Sequence, residues 1–145
     1  MSPLQPGASP GFLLWRVGLG WQRVMTATLK PLGLTHVQFV LLASSWWFAT
    51  ANAQAPTQRQ LADFAATDPM MTSQVLRALE QRGLVERPTD PIDARARRVV
   101  VTSAGAALAR RSLRRVEAAD AEFFAGTLHV PFLSALNQLE TRRAM

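Results

Sequence analysis

Cysteine is absent from the 145 residues, and Lys30 is the only lysine. Without cysteine there is no disulfide frame, no thiolate zinc site and no peroxide switch built on a thiol. That composition fits a reducing cytoplasm, where the chain is expected to reside. Long hydrophobic runs are missing as well. The longest, residues 39–49, is broken by Ser44 and Ser45 and falls far short of the roughly 18 residues that a membrane span needs. The opening "MSPLQPGASPGFLLWRVGLGW" has no cation ahead of its apolar part, is interrupted by Arg16, and offers no clean small-x-small cleavage site, so it does not read as a secretion signal. Enzyme signatures are lacking too. There is no glycine-rich phosphate loop, no nucleophile elbow and no metal-ligand spacing, and the two histidines, His36 and His129, stand far apart with no carboxylate cluster. The expectation is a protein that is not an enzyme and needs neither cofactor nor metal.

Hydrophobic residues make up 48% and charged residues 18% of the chain, which describes a globular protein of one domain, or one domain with an appendage. The formal charge is +6 and the pI about 11.6. The charge is concentrated: residues 82–115 hold nine arginines against Glu86, Asp90 and Asp93, which accounts for the whole excess. Arginine suits phosphate because its planar fork donates in pairs, and a basic patch is the footprint of a polyanion binder.

Residues 1–10 read as a loose Pro/Gly/Ser leader. Phe12, Trp15, Leu19 and Val24 carry a helical period to about residue 30, where Pro31 and Gly33 stop it. Thr35 with Gln38 forms a capping box, flanked by Leu34 and Phe39 at the staple positions, and the helix that follows is apolar nearly all round. A second capping box, Thr57 with Gln60, opens a short helix with Leu61, Phe64 and Ala65 as its stripe. Asp68 and Pro69 start the next helix, whose core stripe is Val75, Leu76 and Leu79 and whose end is Gly83. Two short helices so close together have the spacing of a helix-turn-helix. "LVER" and "RRVVVT" read as strands around a long charged loop, then Thr102 or Ser103 caps a long helix carrying Leu108, Val116 and Phe123. A last helix carries Leu133, Leu136 and Leu139. The fold class predicted is mainly α with a small two- or three-stranded β-wing.

In a winged helix-turn-helix the second helix lies in the major groove, with its N-terminal residues at the base edges. With the core stripe turned inward, Met70, Met71, Ser73, Gln74 and Arg77 face outward as candidate DNA-reading residues. Gln74 can pair with adenine, Arg77 with guanine or a phosphate, and the methionines can touch thymine methyls. The loop makes a projecting tip whose Arg95, Arg97 and Arg98 are placed for the flanking minor groove. Asp93 is expected to hold Arg95 in a forked pair.

The stretch "DPIDARARRVVVT" resembles the wing of the MarR family of bacterial transcriptional regulators: Asp93, Arg95, Val99, Val101 and Thr102 occupy its Asp-x-Arg, apolar strand and closing Thr. "LEQRGLVER" (79–87) and "KPLGLTHVQFVLL" (30–42) resemble that family's recognition-helix end and second helix, in the same order. At Met70 and Met71 the chain departs from the small hydroxyl residues common there. The resemblance implies a homodimer on a pseudo-palindromic operator, with residues 11–34 and 103–145 as dimerisation helices and 35–102 as the DNA-binding domain. Terminal helices rich in Trp, Phe and Leu also call for something to cover them. It further implies a repressor released by a small aromatic or phenolic effector, with Trp15, Arg16, His36, Trp46 and Trp47 as the candidate lining. The readings that compete are a winged-helix protein-interaction module and a non-specific nucleic-acid binder without ligand response.

Overall fold

Thr35, Thr57, Asp68 and Thr102 each close the first turn of a helix, and these four caps punctuate the chain. The computed structural model describes residues 5–52 and 54–144, so part of the leader lies outside the described residues. After a 3-10 turn at Pro6–Ala8, Ser9 accepts the Phe12 amide and α1 runs Pro10–Leu29. A second 3-10 turn ends on Gly33 at φ 70°. Helix α2, His36–Ala51, begins with both capping-box bonds present: Gln38 N–H donates to Thr35 Oγ1 at 3.2 Å and Thr35 N–H to Gln38 Oε1 at 3.0 Å. The same pair of bonds, at 3.1 and 2.9 Å, starts α3, Gln58–Ala65. Ala66 then takes a left-handed conformation, φ 55°, and reverses the chain. Asp68 accepts the Met71 amide at 2.9 Å to open α4, Pro69–Gln81. Each such cap stabilises its helix by about 1 kcal/mol.

Strands β1 (Val85–Glu86) and β2 (Val100–Val101) pair antiparallel, Val85 opposite Val101. A bridge between Thr89 and Arg97 extends the hairpin, and one between Thr57 and Arg98 adds the start of α3 as a third, minimal strand. Helix α5, Ser103–Phe123, follows at once, capped by Thr102 rather than Ser103. Helix α6, His129–Ala144, ends the chain.

One buried cluster joins Met25 and Leu29 of α1, Phe39, Leu41 and Leu42 of α2, Leu61 of α3, Leu76 and Leu79 of α4, Val85 and Val99 of the wing, and Leu108 and Val116 of α5. The core therefore runs unbroken across positions 34/35 and 102/103. The ends of the flanking helices complete the interior of the reading unit.

Three apolar stripes behave differently from their periodicity. Phe64 is half exposed, because Ala62 takes the inward position on α3 beside Leu61, and the Phe64 ring stacks on Trp47 instead, centroids 5.2 Å apart. Phe12, Trp15 and Leu19 on α1, with Leu133, Leu136 and Leu139 on α6, are all at least 40% exposed. Their spacing is helical and apolar, yet this chain does not bury them.

Helices α1, α2 and α5 meet at a polar joint. The Trp21 indole N–H donates to Asp120 Oδ1 at 2.8 Å, its ring meets His36 edge-on at 5.0 Å, and His36 Nδ1 lies 2.7 Å from Gln22 Oε1. Burial holds the His36 imidazole below its ordinary pKa of 6.5, with the Asp120 charge pulling the other way.

Two outcomes follow from this packing. At the first turn of α5 a Cβ on Gly105 would overlap the Leu84 carbonyl oxygen and sit 2.9 Å from Val101 Cγ2. Gly105→Ala is expected to cost at least the roughly 1–3 kcal/mol of an overpacked core, read from the midpoint of urea unfolding; an unshifted midpoint would refute the close approach. At the joint, the unfolded chain binds a proton on His36 more readily than the fold does. Stability is therefore fully present above pH 6.5 and lost as pH falls through the lower folded value. Between about pH 7 and pH 5 the wild-type Tm should drop more steeply than that of His36→Gln, and parallel slopes would show that the imidazole is equally solvated in both states.

Candidate nucleic-acid interface

The helix-turn-helix is set by hydroxyl groups as much as by apolar ones. Thr72 is fully buried, and its Oγ1 lies 2.6 Å from Thr67 Oγ1 and donates to the Asp68 carbonyl at 2.8 Å, pinning the turn between α3 and α4 to the first turn of α4. With Thr72, Leu76 and Leu79 inward, the opposite face is fixed. Met70 is 72% exposed, Met71, Gln74 and Arg77 are exposed, and Ser73 is half-buried at the edge of a groove. The five residues expected to read DNA thus share one side of the N-terminal half of α4.

That groove, about 1040 Å³, lies between α4, the start of α3 and the wing. Arg59 and Arg77 line it from the helices and Arg95 and Arg97 from the wing, with Thr57, Ser73 and Asp93 among the other walls. Arg87, Asp63 and Asp90 line it as well; with Arg87 paired to Glu80, four guanidinium groups remain to attract phosphate oxygens on a wall that also carries three aspartates. Arg59 was not singled out by sequence reasoning. Its signal is its place one residue inside the N-terminus of the first helix of the pair, on a polar face beside the recognition helix.

The wing arginines fall into two kinds. Arg95 is free: its side chain is 94% exposed, and only Nε approaches Asp93 Oδ1, at 3.5 Å. Asp93 does not form the forked pair that the Asp-x-Arg spacing suggests, because its Oδ1 accepts the Arg95 backbone amide at 3.0 Å and shapes the turn. Arg97 is exposed and donates to the Arg87 carbonyl at 2.9 Å, leaving part of its fork open. Arg98, expected to reach DNA with them, turns inward. Its side chain is 20% exposed, one nitrogen lies 3.2 Å from Asp90 Oδ2, and the other donates to the Ala55 carbonyl.

Asp90, which sequence reasoning passed over, is buried. Its Oδ1 accepts the Ile92 amide at 2.8 Å, and this bond, ahead of the Arg98 charge, holds its carboxyl below the usual range. The signal was there in the Asp-Pro dipeptide at 90–91, a turn initiator. Arg87 is also withdrawn, 9% exposed and paired with Glu80 at 3.0 Å and Gln58 at 3.3 Å.

The residues expected around an effector lie in three places. Trp15 lines an apolar groove of about 490 Å³ on α1 with Leu14, Leu19, Trp21 and Gln22. His36 touches the last two of these from α2 without lining the groove itself. Arg16 points its guanidinium over the Phe12 ring, 5.9 Å from the centroid. Trp46 and Trp47 lie ten and eleven residues along α2 from His36, about 15 Å away at 1.5 Å per residue. Trp46 packs on the core and Trp47 on Phe64. Among the described residues no group of three His, Asp or Glu side chains is placed to hold a metal, and no single helix is long and apolar enough to cross a membrane.

Comparison with known proteins agrees with this geometry. The sequence model of the MarR family matches residues 34–96. The HTH-type transcriptional regulator YdcH of Bacillus subtilis is 42% identical over 135 residues, covering 92% of this chain and 91% of the relative. Among solved structures, the MarR family protein Rv2887 of Mycobacterium tuberculosis in complex with DNA superimposes with a TM-score of 0.70 at 32% identity, covering 91% of this chain and 98% of that one. CouR from Rhodococcus jostii RHA1, bound to p-coumaroyl-CoA, gives a TM-score of 0.82 at 28% identity over 95% of this chain and 94% of that one. A recognition helix, a basic wing and uncovered terminal helices in this order, with such relatives, have one meaning: the chain belongs to the MarR family of winged helix-turn-helix transcriptional regulators.

Proposed function

We propose that the protein is a cytoplasmic repressor that grips duplex DNA as a homodimer on a pseudo-palindromic operator and has no catalytic activity. The observation that carries this reading is the groove in which Arg59 and Arg77 of the helix-turn-helix face Arg95 and Arg97 of the wing. A duplex backbone fits between them. The N-terminal half of α4 then enters the major groove, where Gln74 meets adenine N6 and N7 and Met70 and Met71 meet thymine methyls. Arg95, with no firm partner of its own, reaches the minor groove beside it. Phosphates contribute affinity and the α4 side chains contribute discrimination.

The dimer rests on the uncovered stripes of α1 and α6. Leaving Phe12, Trp15, Leu133, Leu136 and Leu139 in water forgoes about 25 cal/mol for each Å² of apolar surface, and a second copy buries them by symmetry. A twofold pair places its recognition helices on half-sites roughly 34–36 Å apart.

The effector site is the α1 groove at Trp15, Trp21, Gln22 and His36, whose volume of about 490 Å³ lies in the range of small-ligand pockets. Its apolar walls suit an aromatic ring, and the Gln22–His36 pair offers polar atoms to a phenol or carboxylate. The p-coumaroyl-CoA carried by CouR is a ligand of that chemistry.

Gln74→Ala should lower discrimination between operator and scrambled duplex by about 1–3 kcal/mol while leaving scrambled-DNA affinity unchanged; equal preference in mutant and wild type would remove Gln74 from the base-reading set. Replacing Leu133 and Leu136 together by Glu should convert the dimer to monomers in sedimentation and abolish operator binding at the concentrations that saturate wild type. Sedimentation of the variant as a dimer would place the interface elsewhere.

A further inference from the structure

Arg98 lies in the returning limb of the wing with its guanidinium committed on both sides, and its two partners lie on different segments. Asp90 belongs to the turn that leads to the wing tip, and Ala55 belongs to the connection between α2 and α3. We propose that Arg98 is a positioning residue: it latches the wing to the α2–α3 connection and so fixes where Arg95 stands, without touching DNA itself. The inference rests on the DNA-binding reading above and adds to it how the tip is held.

The strands alone do not fix the tip. Each is two residues long, and so short a hairpin is marginal without further support. Support comes from side-on bonds instead. Val99 N–H donates to the Pro56 carbonyl at 2.9 Å and Gln58 N–H to the Arg97 carbonyl at 2.8 Å, tying the returning strand to the segment that starts α3. Within the loop, Arg98 N–H donates to Pro88 and Asp90 N–H to Ala96, at 2.8 and 2.9 Å. These bonds close a ladder around the Asp90 side chain, which is 7% exposed.

A buried carboxylate is tolerated when it is paired and hydrogen-bonded, and costly once a partner is removed. Asp90 has the Ile92 amide on one oxygen and Arg98 on the other. Without Arg98 the carboxylate must be re-solvated, and that requires the 88–96 loop to open away from residues 55–58. Arg95 sits at the far side of that loop with only Asp93 for company, so its position relative to Arg59 and Arg77 is inherited from the latch. Arg98 also cancels the Asp90 charge at the wall of the groove, and adds nothing to the field there.

The test is a double-mutant cycle on the full chain, reading the affinity of a mixed-sequence duplex by fluorescence anisotropy across salt, with thermal melting as the check of folding. Arg95→Ala in the wild-type background is expected to weaken binding about tenfold. In the Arg98→Met background the same substitution should change affinity by less than about twofold, because a released tip no longer delivers Arg95 to the groove. The slopes of log affinity against log salt of Arg95→Ala, Arg98→Met and the double variant should then coincide, each about 0.9 shallower than wild type. If Arg95→Ala costs the same factor in both backgrounds, Arg98 does not position the tip. A double variant about 1.8 shallower would make Arg98 a phosphate contact, which also overturns the proposal. Should Arg98→Met lose cooperative melting, Asp90→Asn opens the same latch from its other side and is put through the same cycle against the same outcomes. No effect of Arg95→Ala in the wild-type background would defeat the wing reading itself and the latch with it, and is recognised before Arg98 is altered.

Discussion

Gly83, Leu84, Thr102 and Gly105 meet at a single node, and the relation between reading head and dimer helices depends on it. The Leu84 carbonyl accepts the Thr102 amide at 3.1 Å, Thr102 Oγ1 donates to the Gly83 carbonyl at 2.7 Å, and Gly105 lets the first turn of α5 lie against Leu84. The end of the recognition helix, both strands of the wing and the start of α5 are thereby locked within a few residues of one another. Gly105 brings the first turn of α5 against the Leu84 carbonyl with no side chain of its own to yield, so α5 and the wing are held close together.

Around this node the arginines divide by what they can reach. The window at 82–115 looked like one basic patch, yet its members do different things. Arg82 donates to the Gly33 carbonyl, Arg87 pairs with Glu80, and Arg98 is held by Asp90 and Ala55. These three guanidinium groups stitch the helix-turn-helix to its surroundings. Arg95 and Arg97 remain for the groove, joined by Arg59 and Arg77 from outside the window. Arg110, Arg111, Arg114 and Arg115 stand exposed along α5. Net charge predicted a polyanion partner correctly, but it did not tell which guanidinium groups are available, since that depends on which carbonyls and carboxylates the fold brings near each one.

The same distinction explains what could be read from the sequence. Caps are local, formed by residues three apart, and Thr35, Thr57, Asp68 and Thr102 act as their spacing predicts. The exposed face of α4 was legible because burying Leu76 and Leu79 leaves a helix only one side to present. What failed depended on contacts distant in sequence. Arg98 finds Ala55 across forty-three positions, and Phe64 leaves its stripe because Trp47 on another helix offers a better face. The expected effector lining is scattered for a simpler reason. Trp15 lines the α1 groove and His36 touches two of its residues, while Trp46 and Trp47 lie three turns further along α2, and aromatic composition carries no information about distance.

The uncovered stripes give the His36 joint its place in the mechanism. Helix α1 leaves Trp15 and Leu19 exposed, and Trp21 and Gln22, which line the same groove, reach Asp120 and His36 only a turn or so later. In the proposed dimer a ring inserted beside Trp15 and Trp21 would press on the element that faces the partner and on the residues that join α1 to α2 and α5. Close-packed interfaces respond to such insertion by shifting as rigid bodies rather than by local compression. In a twofold dimer that shift acts on both reading heads at once. A small change in the angle of α1 then becomes a change in the separation of the two α4 helices, which the half-site spacing of DNA tolerates poorly. On the proposed reading this route needs no cysteine, only that one groove of α1 holds both the exposed Trp15 and the residues that reach the polar joint.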